Sequence, residues 1–212
     1  MRKLMVMVGI FLLCFPVLAS AQGEGFIQKN DMGFSFFTGA PFFEGGDAQY
    51  YRVYGVNFMY HPLPHIAIEP SIFYYSEARD SRNNLTGQIS TSDTDELGYG
   101  LGIFYYRNLS TNLYMYAGPR FQFSSYDDSD KYADGSRSEY EISSRYIVLT
   151  FGLKYMFNDH FGVFGDLGYG FGTEEVDDKR WNSAGTLTDD RTYESDLSSI
   201  VNGSVGVTFY FQ

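Results

Sequence analysis

The last stretch of the chain, residues 202–211, alternates apolar side chains with small or polar ones. Its order is Ser204, Val205, Gly206, Val207, Thr208, Phe209, Tyr210 and Phe211. Successive side chains of a β-strand point to opposite sides, so this alternation predicts a strand with one apolar face. A strand of about ten residues that ends in an aromatic fits a tilted crossing of a lipid bilayer.

The same alternation occurs in seven earlier segments, which polar, Gly-containing or Pro-containing breaks separate. We therefore predict eight strands, at residues 33–39, 51–60, 66–75, 97–106, 113–124, 146–157, 161–171 and 202–211. The connections after strands two, four and six are short, whereas those after strands one, three, five and seven are longer. Outer-membrane barrels combine short turns at one end with long loops at the other. The pattern predicts an all-β fold, an eight-stranded antiparallel transmembrane β-barrel with up-and-down topology. A soluble β-sandwich is the alternative, but it would not need an apolar face on every strand.

Three of the longer connections are polar and are predicted to be external loops. They span residues 77–96, 127–143 and 174–194, and the last two are acidic. Divalent cations prefer oxygen ligands, but the spacing of these acids lacks the EF-hand pattern. We expect solvated, mutually repelling loops and predict no metal site and no cofactor.

The N-terminus has the features of a secretory signal peptide. Arg2 and Lys3 precede an apolar run over residues 4–18, and Ala19-Ser20-Ala21 forms a cleavage site. We therefore divide the chain into a signal peptide, residues 1–21, and a barrel domain, residues 22–212. Cys14 lies inside the signal, so we expect no disulfide or thiol chemistry in the mature chain.

The charge balance and the aromatic content narrow the class of protein further. The formal net charge is −11, which makes nucleic acid a poor partner. The chain contains 20 Phe and 19 Tyr, yet beyond the signal it has no apolar run of the length of a membrane helix. Exported, aromatic-rich chains without helical spans are typical of membrane barrels, in which only alternate residues face lipid.

The alternation of inward and outward positions along each strand, here called its parity, predicts which charged side chains face the barrel interior. If Leu97, Phe121, Leu153 and Leu167 face lipid, the inward positions include Glu69, Arg120, Lys154 and Asp166. The opposite parity would place each basic group in lipid at a cost of about 2–4 kcal/mol. We predict that these four residues form a polar network in the lumen, with Lys154 and Asp166 as opposite or diagonal neighbours on strands joined by a tight turn. Inward glycines of strand four would let Glu69 and Arg120 approach each other.

The network admits two interpretations. It can be a salt-bridge cluster that fills a narrow barrel, or it can line an ion path or supply a catalytic carboxylate. We favour the filling cluster and predict no enzyme and no catalytic residue. His61, His65 and His160 lie in predicted short turns, where we expect solvated surface, and no Gly-x-Ser-x-Gly motif is present.

Several segments resemble a known family. Gly98-Tyr-Gly-Leu-Gly102, Ile68-Glu-Pro-Ser71 and the terminal Thr208-Phe-Tyr-Phe211 are similar to the small OmpA/OmpX-like outer-membrane β-barrels, often labelled porin-family proteins in Bacteroidetes-type bacteria. The resemblance covers Gln22 to Gln212. It implies the outer membrane of a Gram-negative bacterium, contact with membrane lipids and lipopolysaccharide, and recognition of the C-terminal strand by the barrel-assembly machinery.

The role of such a barrel stays open between two classes. One is a monomeric, non-catalytic barrel with a plugged lumen, whose loops bind extracellular protein or glycan or whose presence supports the envelope. The other is a narrow porin-like channel for small solutes or ions. The length and charge of the loops at residues 127–143 and 174–194 favour the first. Aromatic residues in or beside these loops add surface that can bind protein or glycan; they are Tyr126, Tyr132, Tyr140, Trp181 and Tyr193. Tyr126 and Tyr193, at strand ends, can equally form an interfacial girdle.

Overall fold

The computed structural model describes residues 26–43, 53–82 and 89–211, so the predicted signal peptide lies outside the described residues. The described part is built of eight β-strands. They are β1 (Met32–Phe43), β2 (Val53–Leu63), β3 (Ile66–Arg82), β4 (Ile89–Asn108), β5 (Leu113–Lys131), β6 (Arg137–Met156), β7 (Phe161–Trp181) and β8 (Leu187–Phe211). In these ranges no helix is long and apolar enough to span a membrane.

Each strand pairs with its neighbour in sequence, and the sheet closes on itself. Every pairing is antiparallel, and β8 returns to β1 with Met32 opposite Phe211. The C-terminal alternation therefore forms the closing seam, where Ser35 pairs with Thr208 on the inner face. The predicted eight-stranded antiparallel up-and-down barrel is confirmed.

A belt of apolar side chains covers the outside of the barrel. On β4 it runs from Leu97 to Tyr105, and on β6 from Ile147 to Tyr155. About nine residues at roughly 3.4 Å each, tilted by about 40°, span a height close to the roughly 25 Å typical of barrels in outer membranes. Large apolar residues in this belt stay exposed, for example Leu167 at 58%. Exposed apolar surface of this extent marks a site of interaction with a membrane or with another protein.

The connections predicted as long loops are largely β-strand, which corrects the sequence analysis. β3 and β4 stay paired to Arg82 and Ile89. The β5–β6 pairing ends at Lys131 and Arg137, and the β7–β8 pairing ends at Trp181 and Leu187. The sequence pattern fails here because neither face is uniformly apolar, so periodicity carries no signal, while the backbone ladder continues regardless of side-chain polarity.

Two of these extended hairpins end in the same kind of turn. Gly135 has φ 86° and Gly185 has φ 77°, a left-handed conformation that favours glycine. In each turn a side-chain oxygen caps the backbone: Asp134 accepts a bond from the Ser136 amide, and Asn182 accepts one from the Thr186 amide. These tight turns keep the strands paired to their tips, in continuous register in β5–β6 and with a register shift between Arg180 and Trp181 in β7–β8.

The opposite end of the barrel carries the short turns. They connect β2 to β3, β4 to β5 and β6 to β7, at residues 64–65, 109–112 and 157–160. In the last of these, the Asn158 side chain accepts bonds from the amides of His160 and Phe161. We call this the short-turn end and the other the long-hairpin end.

Candidate functional site

The interior of the barrel holds all four charged residues that the parity argument assigned to it. Glu69 lies on β3, Arg120 on β5, Lys154 on β6 and Asp166 on β7, each at an inward position. All are buried, Glu69 at 3% and Lys154 at 2% exposure. Buried charges are stable only when they are paired or hydrogen-bonded, so their contacts define the site.

Glu69 and Arg120 face each other across a glycine. Gly102 pairs with Glu69 on one side and with Arg120 on the other. The carboxylate and the guanidinium approach to 3.7 Å between Oε2 and Nη2. The Phe104 ring occupies the space where a Gly102 side chain would lie, and the guanidinium carbon lies 5.1 Å from its centre. Arg120 is thus held by a carboxylate and an aromatic face together.

Lys154 joins this pair through a tyrosine. Its Nζ donates to the hydroxyls of Tyr106 at 2.9 Å and Tyr210 at 3.1 Å, and it lies 3.2 Å from the Met59 sulfur. The Tyr106 hydroxyl in turn donates to Glu69 at 2.8 Å. A Lys ammonium has three N–H donors, and these three neighbours use all of them. Lys154 therefore binds Glu69 by way of Tyr106.

Asp166 forms a second centre in the same interior. It accepts hydrogen bonds from Tyr116 at 2.9 Å and from Ser204 at 2.5 Å. In the β6–β7 register Lys154 pairs with Phe164 and Asp166 pairs with Gly152, so the two charged residues are diagonal neighbours. The network thus contains two acids and two bases, with tyrosine hydroxyls as the links between them.

An aromatic cluster fills the short-turn end around these charges. Its buried members are Ile27, Met59, Ala67, Phe104, Tyr106, Tyr114, Tyr116, Met156, Phe164 and Tyr210. Sequence reasoning missed the tyrosines as members of the network. Tyr116 lies on β5 with Arg120, whereas Tyr106 and Tyr210 lie on β4 and β8, which carry none of the four charged residues. A buried tyrosine combines an apolar ring with a hydroxyl that needs a partner, and that property is the signal that could have found them.

His61 corrects another expectation. It was expected to be a solvated turn residue, but β2 continues to Leu63 and His61 points inward with 0% exposure. Its Nε2 lies 3.0 Å from the Tyr210 hydroxyl. The prolines at 62 and 64 do not end the strand at His61, because a proline is tolerated near a strand end. His160 remains in an exposed turn, as expected.

The segment before β1 packs into the short-turn end of the barrel. Ile27 is buried in the aromatic cluster, and its amide donates to the Tyr114 hydroxyl at 2.9 Å. Two backbone bonds tie the segment to β2, from Asn30 to His61 and from His61 to Asp31. Asn30 adopts φ 70°, which turns the chain from this segment into β1. This packing of the segment before β1 was not predicted from the sequence.

The middle of the interior is more polar and less tightly bonded. Among the described residues, buried polar atoms beyond hydrogen-bonding distance of other protein groups include Asn57 Oδ1, Ser71 Oγ, Thr150 Oγ1 and Asn202 Oδ1. Thr150 and Asn202 lie on either side of Gly168. Polar atoms buried in this way usually bind ordered water.

The long-hairpin end combines acids with aromatic residues. The hydroxyls of Tyr140 and Tyr193 lie 3.2 Å apart, and burial together with this bond raises the pKa of Tyr140. Arg137 stacks over the Trp181 ring at 4.1 Å. In the described ranges no group of three or more His, Cys, Asp or Glu side chains is arranged to hold a metal ion.

The comparisons with known proteins bear on the fold. No protein-family model matches the chain, and no curated protein matches it in sequence. Among solved structures it is similar to the outer membrane protein OprG from Pseudomonas aeruginosa, with a TM-score of 0.58, 13% identity, and coverage of 91% of this chain and 100% of that one. A major outer membrane protein from Thermus thermophilus matches with a TM-score of 0.51, 13% identity, and coverage of 85% and 99%.

These identities are low, so the likeness establishes the fold alone. The structural neighbours are small outer-membrane β-barrels, in agreement with the closed eight-stranded sheet and its apolar belt.

Proposed function

We propose that the chain is an integral outer-membrane β-barrel of a Gram-negative bacterium that performs no catalysis, keeps its lumen closed, and presents acidic hairpins outside the cell. The observation that carries this proposal is the combination of an apolar exterior with an interior filled by bonded side chains. An eight-stranded barrel is just wide enough for its own side chains to fill it.

The apolar belt supports a membrane location. Its exposed residues would create an aggregation-prone surface in water, whereas alkyl chains solvate them without cost. Polar strand surface begins on either side of the belt, and both described chain ends lie at the short-turn end, which we assign to the periplasm. The long-hairpin end then faces the exterior.

The closed lumen rests on the contacts of Lys154, Tyr106 and Ile27. The first two belong to one hydrogen-bonded chain that ends on Glu69, and Ile27 packs beneath it in the aromatic cluster. An ion entering from the periplasm would have to displace an apolar segment and then break bonds between buried charges. Both steps are costly in a low-dielectric interior.

The extended hairpins support a surface role. They carry acids such as Asp128, Asp178 and Glu174 together with the Tyr140 and Tyr193 pair, on strands that stay paired to their tips. Rigid strands present side chains at fixed spacing, and mixed aromatic and polar surface suits binding of protein or glycan. The partner is therefore of that class, reached from outside the cell.

Planar-bilayer recording tests the closed lumen. The refolded wild-type protein should insert, show heat-modifiable gel mobility, and give no stable single-channel currents. A variant in which Tyr106, Tyr116 and Lys154 are all changed to Ala should conduct, because it removes the centre of the network. Large stable currents from the wild-type barrel would contradict the proposal.

A narrow channel is the second candidate, and the unbonded polar atoms in the middle of the interior favour it. Asn57, Thr150 and Asn202 can bind water along part of the lumen. Under this alternative the Ile27 segment would leave the short-turn end during transport. Deleting residues 22–29 should then raise conductance, whereas the closed-lumen proposal expects the Lys154 network to keep the shortened barrel silent.

A further inference from the structure

The outer wall of the barrel contains a groove within the apolar belt. It crosses the wall from β6 to β2 and encloses about 520 Å³. Its walls are the exposed side chains of Phe151, Leu153, Leu167, Val205 and Tyr54.

Two glycines form the floor of the groove. Gly165 lies between Leu153 and Val205 in the strand register, and Gly203 lies opposite Leu167. Both occupy outward positions. Large apolar residues flank Gly165 on both sides, whereas Gly203 has Leu167 on one side and Ala40 on the other. A Cβ added at Gly165 would meet its nearest atoms at 3.7 Å, an ordinary contact distance, so the site has room for a methyl group.

The polar groups beneath the floor are directed away from it. Asp166 and Ser204 are among the lining residues, but their side chains bond to each other and, for Asp166, to Tyr116 in the interior. The backbone of the floor is paired in the β7–β8 ladder. An occupant therefore meets carbon and already bonded backbone, which favours an apolar ligand.

The length of the groove identifies the kind of occupant. From Leu153 to Tyr54 the register passes through Gly165, Val205 and Thr38, which is four strand spacings of about 4.8 Å, or roughly 19 Å. Half of a hydrocarbon core about 30 Å thick is roughly 15 Å, and strand tilt makes this row oblique to the bilayer normal. One leaflet-length alkyl chain lying obliquely fits that path.

A second copy of the chain fits less well. The wall of a barrel is convex, so another belt placed against it would touch Phe151 and Leu167 at the rims and leave the glycine floor uncovered. A flexible alkyl chain can follow a narrow oblique groove.

We propose that this groove binds one acyl chain of a lipid in the surrounding bilayer as a specific site, rather than as part of the general lipid annulus. The inference rests on the proposed membrane location. The groove ends at Tyr54 on β2 and Thr38 on β1, two side chains that each carry a hydroxyl.

Native mass spectrometry of the refolded barrel with dipalmitoyl phosphatidylethanolamine in detergent tests the site. The wild type should retain one lipid. Gly165→Leu should lower the retained fraction about tenfold by filling the floor. Gly165→Ala, which fits at ordinary contact distance, should lower it less. Leu101→Phe adds volume to the belt on β4, away from the groove, and should retain lipid like the wild type.

Heat-modifiable gel mobility, recorded for every variant, separates the possible failures. If folded wild type and folded Gly165→Leu retain the lipid equally, the proposed lipid site is wrong. The same holds if the wild type retains no lipid. Neither result contradicts the membrane location. A wild-type dimer that Gly165→Leu dissociates would show that a second copy is the occupant and also overturn it. Failure of the wild type to insert into vesicles would instead refute the proposed function.

Discussion

Tyr106 and Tyr116 stack in the barrel interior with ring centres 5.0 Å apart and planes inclined by 17°, yet their hydroxyls serve different carboxylates. Tyr106 donates to Glu69, and Tyr116 donates to Asp166. The stack thereby holds two buried acids at a fixed separation. Two like charges in a low-dielectric interior repel strongly, so keeping each one bonded to its own donor stabilises both.

Changing each tyrosine to Phe separates the hydroxyl from the stack. Tyr106→Phe removes a bond to Lys154 and a bond to Glu69, and should lower the free energy of unfolding by about 3 kcal/mol. Tyr116→Phe leaves Asp166 bonded to Ser204 and should cost about half as much. Urea unfolding in lipid vesicles, followed by gel mobility, measures both. Equal losses would show that the shared ring contact, rather than the hydroxyl bonds, carries the stability.

The ion pair across Gly102 makes a prediction for a double-mutant cycle. Arg120→Met leaves Glu69 with one cation fewer and should destabilise the barrel by about 3–5 kcal/mol. Glu69→Gln in the same chain should restore part of that loss, because no net charge then remains unpaired at this position. The coupling, measured by the same urea titration, should exceed about 1 kcal/mol. Additive single effects would mean that the 3.7 Å contact contributes nothing.

The sequence was sufficient for the barrel and for the orientation of its strands. Alternation with period two is strong wherever one face meets lipid, because a one-residue slip would exchange Leu153 with Lys154. The large energetic penalty of that exchange makes the parity unambiguous. The strand count and the closure between β1 and β8 follow from the same signal.

The sequence was insufficient to predict strands whose two faces have similar polar composition. In the extended hairpins beyond the belt, neither face is uniformly apolar, so strand and loop have the same polar composition. The sequence therefore predicts a loop at residues 127–143, where the structure has strands. Within the barrel, Tyr106 and His61 belong to residue types that can lie either buried or exposed, so their role depends on which atoms face them. Which side chains face each other across the interior depends on the shear of the barrel and the stagger of its strands. The spacing of residues along the sequence does not determine either.

The tip of the β5–β6 hairpin makes a prediction about pH. Bonds from the Ser136 hydroxyl and amide lower the pKa of Asp134 in the folded hairpin. A lowered folded-state pKa means that the turn is stabilised above the usual Asp pKa and loses that contribution as pH falls through the lowered value. In micelle NMR, the Ser136 amide signal should titrate below the usual Asp range. Asp134→Asn should remove the titration, and an Asp-like midpoint in the wild type would contradict the bond.

The belt itself makes the most direct prediction about the membrane. Leu101 lies at mid-belt on β4, and Asp93 lies outward on the same strand beyond the belt, so the two positions differ chiefly in depth. Leu101→Arg should lower the free energy of unfolding in vesicles by about 2–4 kcal/mol, because a guanidinium at the bilayer midplane loses its hydration. Asp93→Arg remains in water and should change it by less than about 0.5 kcal/mol. Urea titration of both variants in vesicles provides the measurement. If Leu101→Arg were as stable as the wild type and improved solubility without detergent, the exposed apolar side chains would face water, and the barrel would not span a membrane.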